Sequence, residues 1–144
     1  MKQTNFKLIL SFMLVAIFSI GTVMAQNIHF IGSPQITDNG TTLTFCGKLA
    51  GLGNNQMITV TLSAAATVTT TCTNPGGNVA PGQTKVVNIS ASGQFHSDKN
   101  GTVTFCLTTV TPEPGSCPNG MWTGTVTDVS FSNEKITVDG KTVK

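Results

Sequence analysis

The stretch ITVTLSAAATVT, from Ile58 to Thr69, decides the fold of this 144-residue chain. Apolar or small side chains occupy every even position, and hydroxyl side chains occupy nearly every odd one. Successive side chains of a β-strand point to opposite faces, so a period of two is typical of a strand with one buried face. The phase never breaks. We therefore predict one long pass over residues 58–72, with residues 64–66 as the place where it would bend.

The same period of two recurs on both sides of this stretch, and no window shows the helical period of 3.6. Only 10% of the residues are charged and 6% are aromatic, which argues against a coiled coil, a helical bundle or a disordered chain. The sequence predicts an all-β fold, namely an immunoglobulin-like antiparallel β-sandwich of about seven strands. The expected strands cover residues 28–36, 41–49, 58–72, 85–90, 102–110, 122–131 and 135–143.

Three local signals refine this prediction. Pro34 places the first strand at the edge of a sheet, because proline cannot donate a backbone hydrogen bond. Asn39-Gly40 is a turn signal of the hairpin type. The apolar phase changes between Val126 and Val129, which predicts a β-bulge near Asp128.

Residues 1–25 read as a secretory signal peptide. Lys2 and Lys7 form a basic segment, and an apolar run of about a dozen residues follows from Leu8 to Ile20. Val23-Met24-Ala25 then provides a small-residue cleavage site. The apolar run is short for a membrane span of about 20 residues, which argues against an uncleaved anchor. We therefore expect this segment to be removed after export.

Residues 26–144 form the single expected domain, which carries no net charge. The chain contains no arginine, and removal of two lysines with the signal segment leaves six lysines against six acidic residues. A nucleic-acid partner is not expected, because binding phosphates requires a basic stripe. We expect no membrane insertion after cleavage, and a location in the medium, in the periplasm or at the cell surface.

The four cysteines are Cys46, Cys72, Cys106 and Cys117. An even number in an exported chain predicts two disulfides, and four cysteines allow three pairings. Cys46 and Cys106 each follow a phenylalanine of the expected inner face, so both point outward and suit a bridge between adjacent strands. Cys72 and Cys117 stand in turn-rich segments and suit a bridge between loops. We therefore predict the pairs Cys46–Cys106 and Cys72–Cys117.

The direction of the strands is consistent with this pairing. If residues 58–72 form one pass, the second and fifth strands run antiparallel, and the loops of Cys72 and Cys117 fall at the same end of the sandwich. In immunoglobulin-type topology the second and fifth strands are neighbours. Splitting the long pass into a hairpin would reverse the fifth strand and break this agreement.

Candidate catalytic and metal-binding groups are few. The two histidines, His29 and His96, are isolated and no C-x-x-C pair is present, so we expect no metal site. Ser97 and Asp98 follow His96, but neighbours on an extended chain point to opposite faces and cannot form a catalytic triad by themselves. The acidic residues give no recognisable pair for acid–base chemistry. We expect neither an enzyme nor a cofactor.

Threonines alternate along several expected strands, as in Thr59/Thr61 and Thr125/Thr127. Rows of hydroxyls of this kind occur on ice-binding surfaces, but no repeat of fixed length is present to build a solenoid. Threonine is also a common solvent-facing strand residue. We interpret these rows as ordinary outer faces of the sheets.

Four segments give the chain a distinctive resemblance. They are Thr42-Leu-Thr-Phe-Cys-Gly-Lys-Leu-Ala-Gly-Leu-Gly53, Cys72-Thr-Asn-Pro-Gly-Gly-Asn78, Pro81-Gly-Gln83, and Cys117-Pro-Asn119 with Trp122 three residues further on. The chain resembles a group of small exported bacterial proteins that carry the pattern CTNPGGN…PGQ…CPN-x-x-W. The resemblance covers most of the expected domain and implies an exported β-sandwich with the Cys72–Cys117 bridge. It implies no activity, and Cys46 and Cys106 depart from the pattern.

Elimination and fold analogy predict a binding role. We expect an exported, non-enzymatic binding or structural module at the cell surface or in the medium. Its expected partner is a surface glycan or a protein. The loops of residues 74–83 and 111–120 are the candidate binding surface, because long loops on a rigid frame often carry function. The alternative is a small secreted effector or toxin-like protein that acts on other cells.

The candidate contact residues in these loops are Asn74, Asn78, Asn119 and Trp122. Trp122 is the only tryptophan and lies on an apparently inward position near Cys117. We favour core packing of Trp122 against the Cys72–Cys117 bridge, with stacking on a ligand as the alternative.

Overall fold

A computed structural model of the chain describes residues 27–143. The predicted signal segment therefore lies outside the described residues. All regular structure in the described range is β: nine strands in two sheets, with no helix. It follows that no helix capable of crossing a membrane occurs among these residues. The strands are β1 (His29–Phe30), β2 (Gln35–Asp38), β3 (Leu43–Ala50), β4 (Met57–Thr73), β5 (Val79–Pro81), β6 (Lys85–His96), β7 (Val103–Thr108), β8 (Thr123–Val138) and β9 (Lys141–Thr142).

The smaller sheet has β3 at its centre, flanked by β7 on one side and by β1 and β2 on the other. β1 and β2 lie one after the other along the same edge of β3, separated by residues 31–34. Pro34 lies in this interruption, across which the backbone N–H of Ile31 still donates to the carbonyl of Lys48 at 2.8 Å. The predicted edge position of the first strand is confirmed, and its interruption is a finding of the structure.

The larger sheet is built on β4, a 17-residue strand that runs from Met57 to Thr73 without a break. β5 and β6 follow each other along one edge of β4, and β8 pairs along the other. β9 folds back on the end of β8 through a turn at Asp139-Gly140. The predicted single pass is confirmed. Because β1 with β2 and β5 with β6 are interrupted single strands, the nine strands make about seven passes of the chain.

β8 corrects the prediction of two separate strands at residues 122–131 and 135–143. It is one continuous strand, in which Asn133 and Glu134 together face only Ala64. Asn133 adopts a positive φ of 54°, and the resulting bulge takes up the extra residue without ending the pairing. A short polar segment that reads as a turn can therefore lie inside a paired strand.

β6 is longer than predicted, and β8 has a second bulge. β6 continues to His96, six residues beyond the predicted end, because its whole length pairs with β4. Thr69 faces Asp128 whereas Thr70 faces Val126, so one residue of β8 is left over at this point. The predicted bulge near Asp128 is confirmed.

The core lies on the even-numbered face of β4 and forms two clusters. The larger cluster joins both sheets, and its phenylalanines include Phe45 and Phe105, whose rings stack with centroids 6.2 Å apart. The smaller cluster consists of Ala66, Val68 and Val129, and every side chain packed against it also comes from the larger sheet. The eight-residue β3 is too short to cover the whole of β4, so this end of the larger sheet needs a different cover.

Candidate functional site

Both predicted disulfides are present. Cys46 and Cys106 face each other directly in the β3–β7 pair, with Cα atoms 4.1 Å apart, and their side chains lie on the outer face. Cys72 is completely buried on the inner face of β4 and bonds to Cys117, with Cα atoms 5.8 Å apart. The second bridge therefore ties the loop between β7 and β8 to the end of β4.

The loop of residues 109–122, here called the stapled loop, supplies the missing cover. Its backbone N–H at Gly115 donates to Oγ1 of Thr70 at 2.6 Å, and the N–H of Gln83 donates to the carbonyl of Ser116 at 2.9 Å. Thr70 is only 2% exposed and lies on the inner face of β4. The stapled loop therefore lies on the part of the larger sheet that the smaller sheet leaves open.

Three glycines allow this close approach. A Cβ atom at Gly115 would collide with the carbonyl oxygen of Gln83, and one at Gly82 would lie 2.9 Å from Sγ of Cys72. At Gly124 the nearest atom would be Sγ of Cys117, at 3.2 Å. Because glycine lacks a Cβ, it permits backbone and sulfur atoms to pack at distances that other residues forbid. The end of the sandwich is thus built around the Cys72–Cys117 bridge.

The turn between β4 and β5 lies beside the stapled loop. The side-chain oxygen of Asn74 accepts the N–H of Asn78 at 2.8 Å, and the backbone N–H of Asn74 donates to the carbonyl of Asn78 at 3.0 Å. Gly77 supplies the positive φ of 81° that the turn requires. Asn74 therefore holds the turn through its oxygen, while Asn78 is exposed at the tip.

Asn119 has a comparable role in the stapled loop. Its side-chain oxygen accepts the N–H of Met121 at 3.0 Å, and its carbonyl accepts the N–H of Trp122 at 3.1 Å. An asparagine side chain that bonds to the backbone two residues later stabilises a turn. Two of the predicted contact residues, Asn74 and Asn119, are thus also parts of the loop framework.

The sequence favoured packing of Trp122 against the Cys72–Cys117 bridge, and this stays a prediction. Trp122 is half-buried and belongs to neither hydrophobic cluster. It precedes the first residue of β8, beyond the region where two sheets face each other. The alternation along β8 places Trp122 on the same side as Gly124 and Val126.

The structure adds two exposed apolar residues that the sequence did not single out. Val79 is 66% exposed and Met121 is 72% exposed. Val79 faces Thr73 in the β4–β5 pair, and Thr73 faces Thr123 of β8, so the two loops meet across one row of the sheet. Val79 follows Asn78 and Met121 follows Gly120, and this position next to a turn is the only sequence signal that could have predicted their exposure.

This end of the molecule is almost free of charge. Residues 49–84 contain no charged side chain, and Glu113 is the only one in residues 103–127. The two loops therefore combine amide groups, apolar side chains and a partly exposed indole with one acidic side chain, Glu113, and Asp38 and Lys85 lie in segments next to the stapled loop. This composition suits a neutral ligand.

The opposite end contains the His96-Ser97-Asp98 segment. Oγ of Ser97 donates to the carbonyl of Gly53 at 2.7 Å and accepts the N–H of Gln56 at 2.8 Å, so this hydroxyl holds loops together. Backbone and hydroxyl hydrogen bonds from Thr102 lower the pKa of Asp98 below its usual value. Through these hydrogen bonds, Ser97 and Asp98 stabilise the turns in which they lie.

The outer face of the larger sheet carries the alternating hydroxyls. Thr61 and Ser92 share a hydrogen bond of 2.8 Å across β4 and β6, and Oγ1 of Thr127 donates to the carbonyl of Thr69 at 3.3 Å. Cross-strand pairs of this kind stabilise sheets generally. Within residues 27–143 no group of three or more His, Cys, Asp or Glu side chains is placed to hold a metal ion.

Comparison with models of protein families, with curated proteins and with solved structures finds no match to this chain. The geometry itself defines a class: a small all-β domain of two sheets with one loop end fastened by a disulfide.

Proposed function

We propose that this protein is an exported, non-enzymatic binding module that binds a neutral surface glycan with its stapled end. The observation that carries the proposal is the fastening of the stapled loop to the end of β4, beside the turn between β4 and β5, by the Cys72–Cys117 bridge. Loops held on a rigid frame present the same surface to every ligand, which lowers the entropic cost of binding.

An immunoglobulin-like assignment of the fold is part of this proposal. With the passes named A, B, C, C′, E, F and G in chain order, the smaller sheet holds A, B and E, and the larger sheet holds C′, C, F and G. Immunoglobulin-type domains distribute their strands over two sheets in a similar way. The stapled loop then corresponds to the connection between E and F, at the opposite end from the B–C and F–G loops that variable domains use for recognition. The choice of the stapled end therefore rests on the Cys72–Cys117 bridge and not on this analogy.

The disulfides support export. All four cysteines of the chain are paired, and stable disulfides are typical of oxidising compartments outside the cytosol. We propose that residues 1–25 direct the chain there and are removed, and that residues 26–144 act in the medium, in the periplasm or at the cell surface.

The composition of the stapled end supports a neutral, polar ligand. Asn78 and Asn119 offer exposed amide groups that donate and accept hydrogen bonds. Trp122 and Met121 offer apolar surface next to them. Sugars present hydroxyl groups at their edges and apolar C–H groups on their faces, and this combination of amides with an indole matches both.

The test measures binding of the oxidised mature chain to a panel of neutral glycans and to cell envelopes. We expect saturable binding that is insensitive to salt, because no charge contributes. Met121→Ala weakens this binding, whereas Met57→Ala, which removes a methionine that is also largely exposed but lies at the opposite end of β4, leaves it unchanged.

A second pair of variants tests the role of the bridge. Cys72→Ala with Cys117→Ala abolishes binding in a protein that still folds, and Cys46→Ala with Cys106→Ala retains it. Absence of binding to every glycan by the folded protein, or binding that survives loss of the Cys72–Cys117 bridge, contradicts the proposal. Binding to envelope protein alone would indicate a protein partner, and growth inhibition without binding would favour the effector alternative.

A further inference from the structure

Among residues 27–143, the free edge of β6 is the longest unpaired strand edge without a bulge or an interruption. β6 runs over Lys85–His96 and pairs with β4 along one side only. Within the part of the chain that the structure describes, no backbone hydrogen bond joins its other side to a second segment. Such an edge presents a row of N–H and C=O groups that can pair with another strand.

The other edges carry features that prevent such pairing. β8 has two bulges, and the N–H of Val129 is already bonded to the carbonyl of Gly40 at 2.7 Å. The edge formed by β1 and β2 is interrupted at Pro34, β7 has six residues and β9 has two. β6 contains no proline and no bulge, and its one lysine is its first residue. It lacks the protections that natural edge strands usually have.

The inner side of β6 is also incompletely covered. Val87, Ile89 and Phe95 are half-buried, although the β4 residues paired with them, Ala66, Ala64 and Ile58, are buried. The apolar row of β6 therefore lies at the margin of the core. A strand added beside β6 would remove more of this row from water, which favours association.

We propose that β6 pairs antiparallel with β6 of a second copy of this chain, about a twofold axis at Ala91. In this register Val87 lies opposite Phe95 of the second copy, and Ile89 lies opposite Gly93. The two Ala91 side chains face each other at the axis, while the Phe95 ring of the same strand and Leu107 already cover the inner side of Gly93. Pairs on the same face of neighbouring strands are the unit of sheet stability.

The outer face matches in the same register. Asn88 lies opposite Gln94 of the second copy, and Ser90 lies opposite Ser92. Amide meets amide and hydroxyl meets hydroxyl, and no charged side chain meets another. The pairing adds about ten backbone hydrogen bonds and joins the two larger sheets into one continuous sheet. This self-complementarity is the reason for assigning the edge to a second copy rather than to a different chain.

The test measures the mass of the oxidised mature chain over a wide concentration range by sedimentation or light scattering. We expect a reversible dimer. Ser90→Lys raises its dissociation constant about tenfold, because the two introduced charges lie diagonally across the axis. Ser130→Lys is the matched control: it adds the same charge to an exposed serine of the same outer face, on β8, and leaves the dimer unchanged.

A mixture identifies the surface directly. Equal amounts of Ser90→Lys and Ser90→Glu form a mixed dimer in preference to either homodimer, because opposite charges replace like ones. Amide exchange at residues 86–96 slows as concentration rises in the wild type. Circular dichroism confirms that each variant is folded. A monomer at all concentrations overturns the proposal. So does a dimer that Ser90→Lys and Ser130→Lys affect equally, or a mixture with no preference.

Discussion

Removal of either disulfide should destabilise the protein by a similar amount through the added entropy of the unfolded chain. The two removals should differ in their effect on the folded state. The perturbation is replacement of both cysteines of one bridge with alanine. The chain-entropy relation gives about 4 kcal/mol for either bridge, since separations of 60 and 45 residues differ little in their logarithms. This common term acts on the unfolded state and does not depend on where the bridge lies.

The two bridges differ in their surroundings in the folded protein. Cys72 is completely buried beside Gly82, so loss of its sulfur leaves a small cavity worth about 1 kcal/mol. Cys46 and Cys106 lie on the outer face of a strand pair that is hydrogen-bonded on both sides of the bridge. We therefore expect a loss of about 5 kcal/mol for the Cys72–Cys117 bridge and about 4 kcal/mol for the Cys46–Cys106 bridge.

Urea unfolding followed by two probes checks this prediction. Circular dichroism reports the whole fold, and the fluorescence of Trp122, the only tryptophan, reports the stapled loop. Loss of the Cys72–Cys117 bridge shifts the native emission of Trp122 to longer wavelength and speeds amide exchange in residues 109–122. Loss of the other bridge changes neither. Equal free energies of unfolding with unchanged Trp122 emission in both variants would refute the reasoning, as would a larger loss for the Cys46–Cys106 bridge.

Two further predictions concern the loops. Gly115→Ala forces a Cβ against the carbonyl of Gln83, so we expect it to lower the free energy of unfolding by about 1–3 kcal/mol. At Gly120 a Cβ meets nothing within 4 Å, so Gly120→Ala should change the free energy of unfolding by less than about 0.5 kcal/mol. Urea denaturation measures both values, and equal effects would contradict the packing of the stapled loop. Asp98→Asn removes a carboxylate whose pKa is lowered by Thr102, so the wild type is more stable above pH about 3.9 and loses this advantage as the pH falls through the lowered pKa. Unfolding midpoints measured against pH should converge at low pH, and a difference that does not depend on pH would count against this account.

The alternation along the chain was sufficient to predict the inner face of β4 and its single pass. A period of two is a local property: it depends only on the geometry of an extended backbone. The pairing of the cysteines followed from the same property, because the face of each cysteine and the direction of its strand limit the partners it can reach. Both disulfides are as predicted.

Strand boundaries were predicted less well, for a reason visible in β8. Ser132, Asn133 and Glu134 are typical turn residues, yet they lie inside a strand because β4 continues to offer hydrogen bonds beside them. The same tertiary pairing extends β6 to His96. Whether a polar segment ends a strand or forms a bulge depends on what lies next to it, and that is a non-local property.

The amino-acid sequence alone determined that this chain is an all-β domain, which side chains of β4 face inward, and which cysteines pair. Only the tertiary structure decided that the stapled loop replaces the smaller sheet over Thr70, that Trp122 stays partly exposed, and that the edge of β6 is left open. The first set follows from the alternation of side chains along single strands. The second depends on the relative lengths of two sheets, since an eight-residue strand cannot cover a 17-residue one.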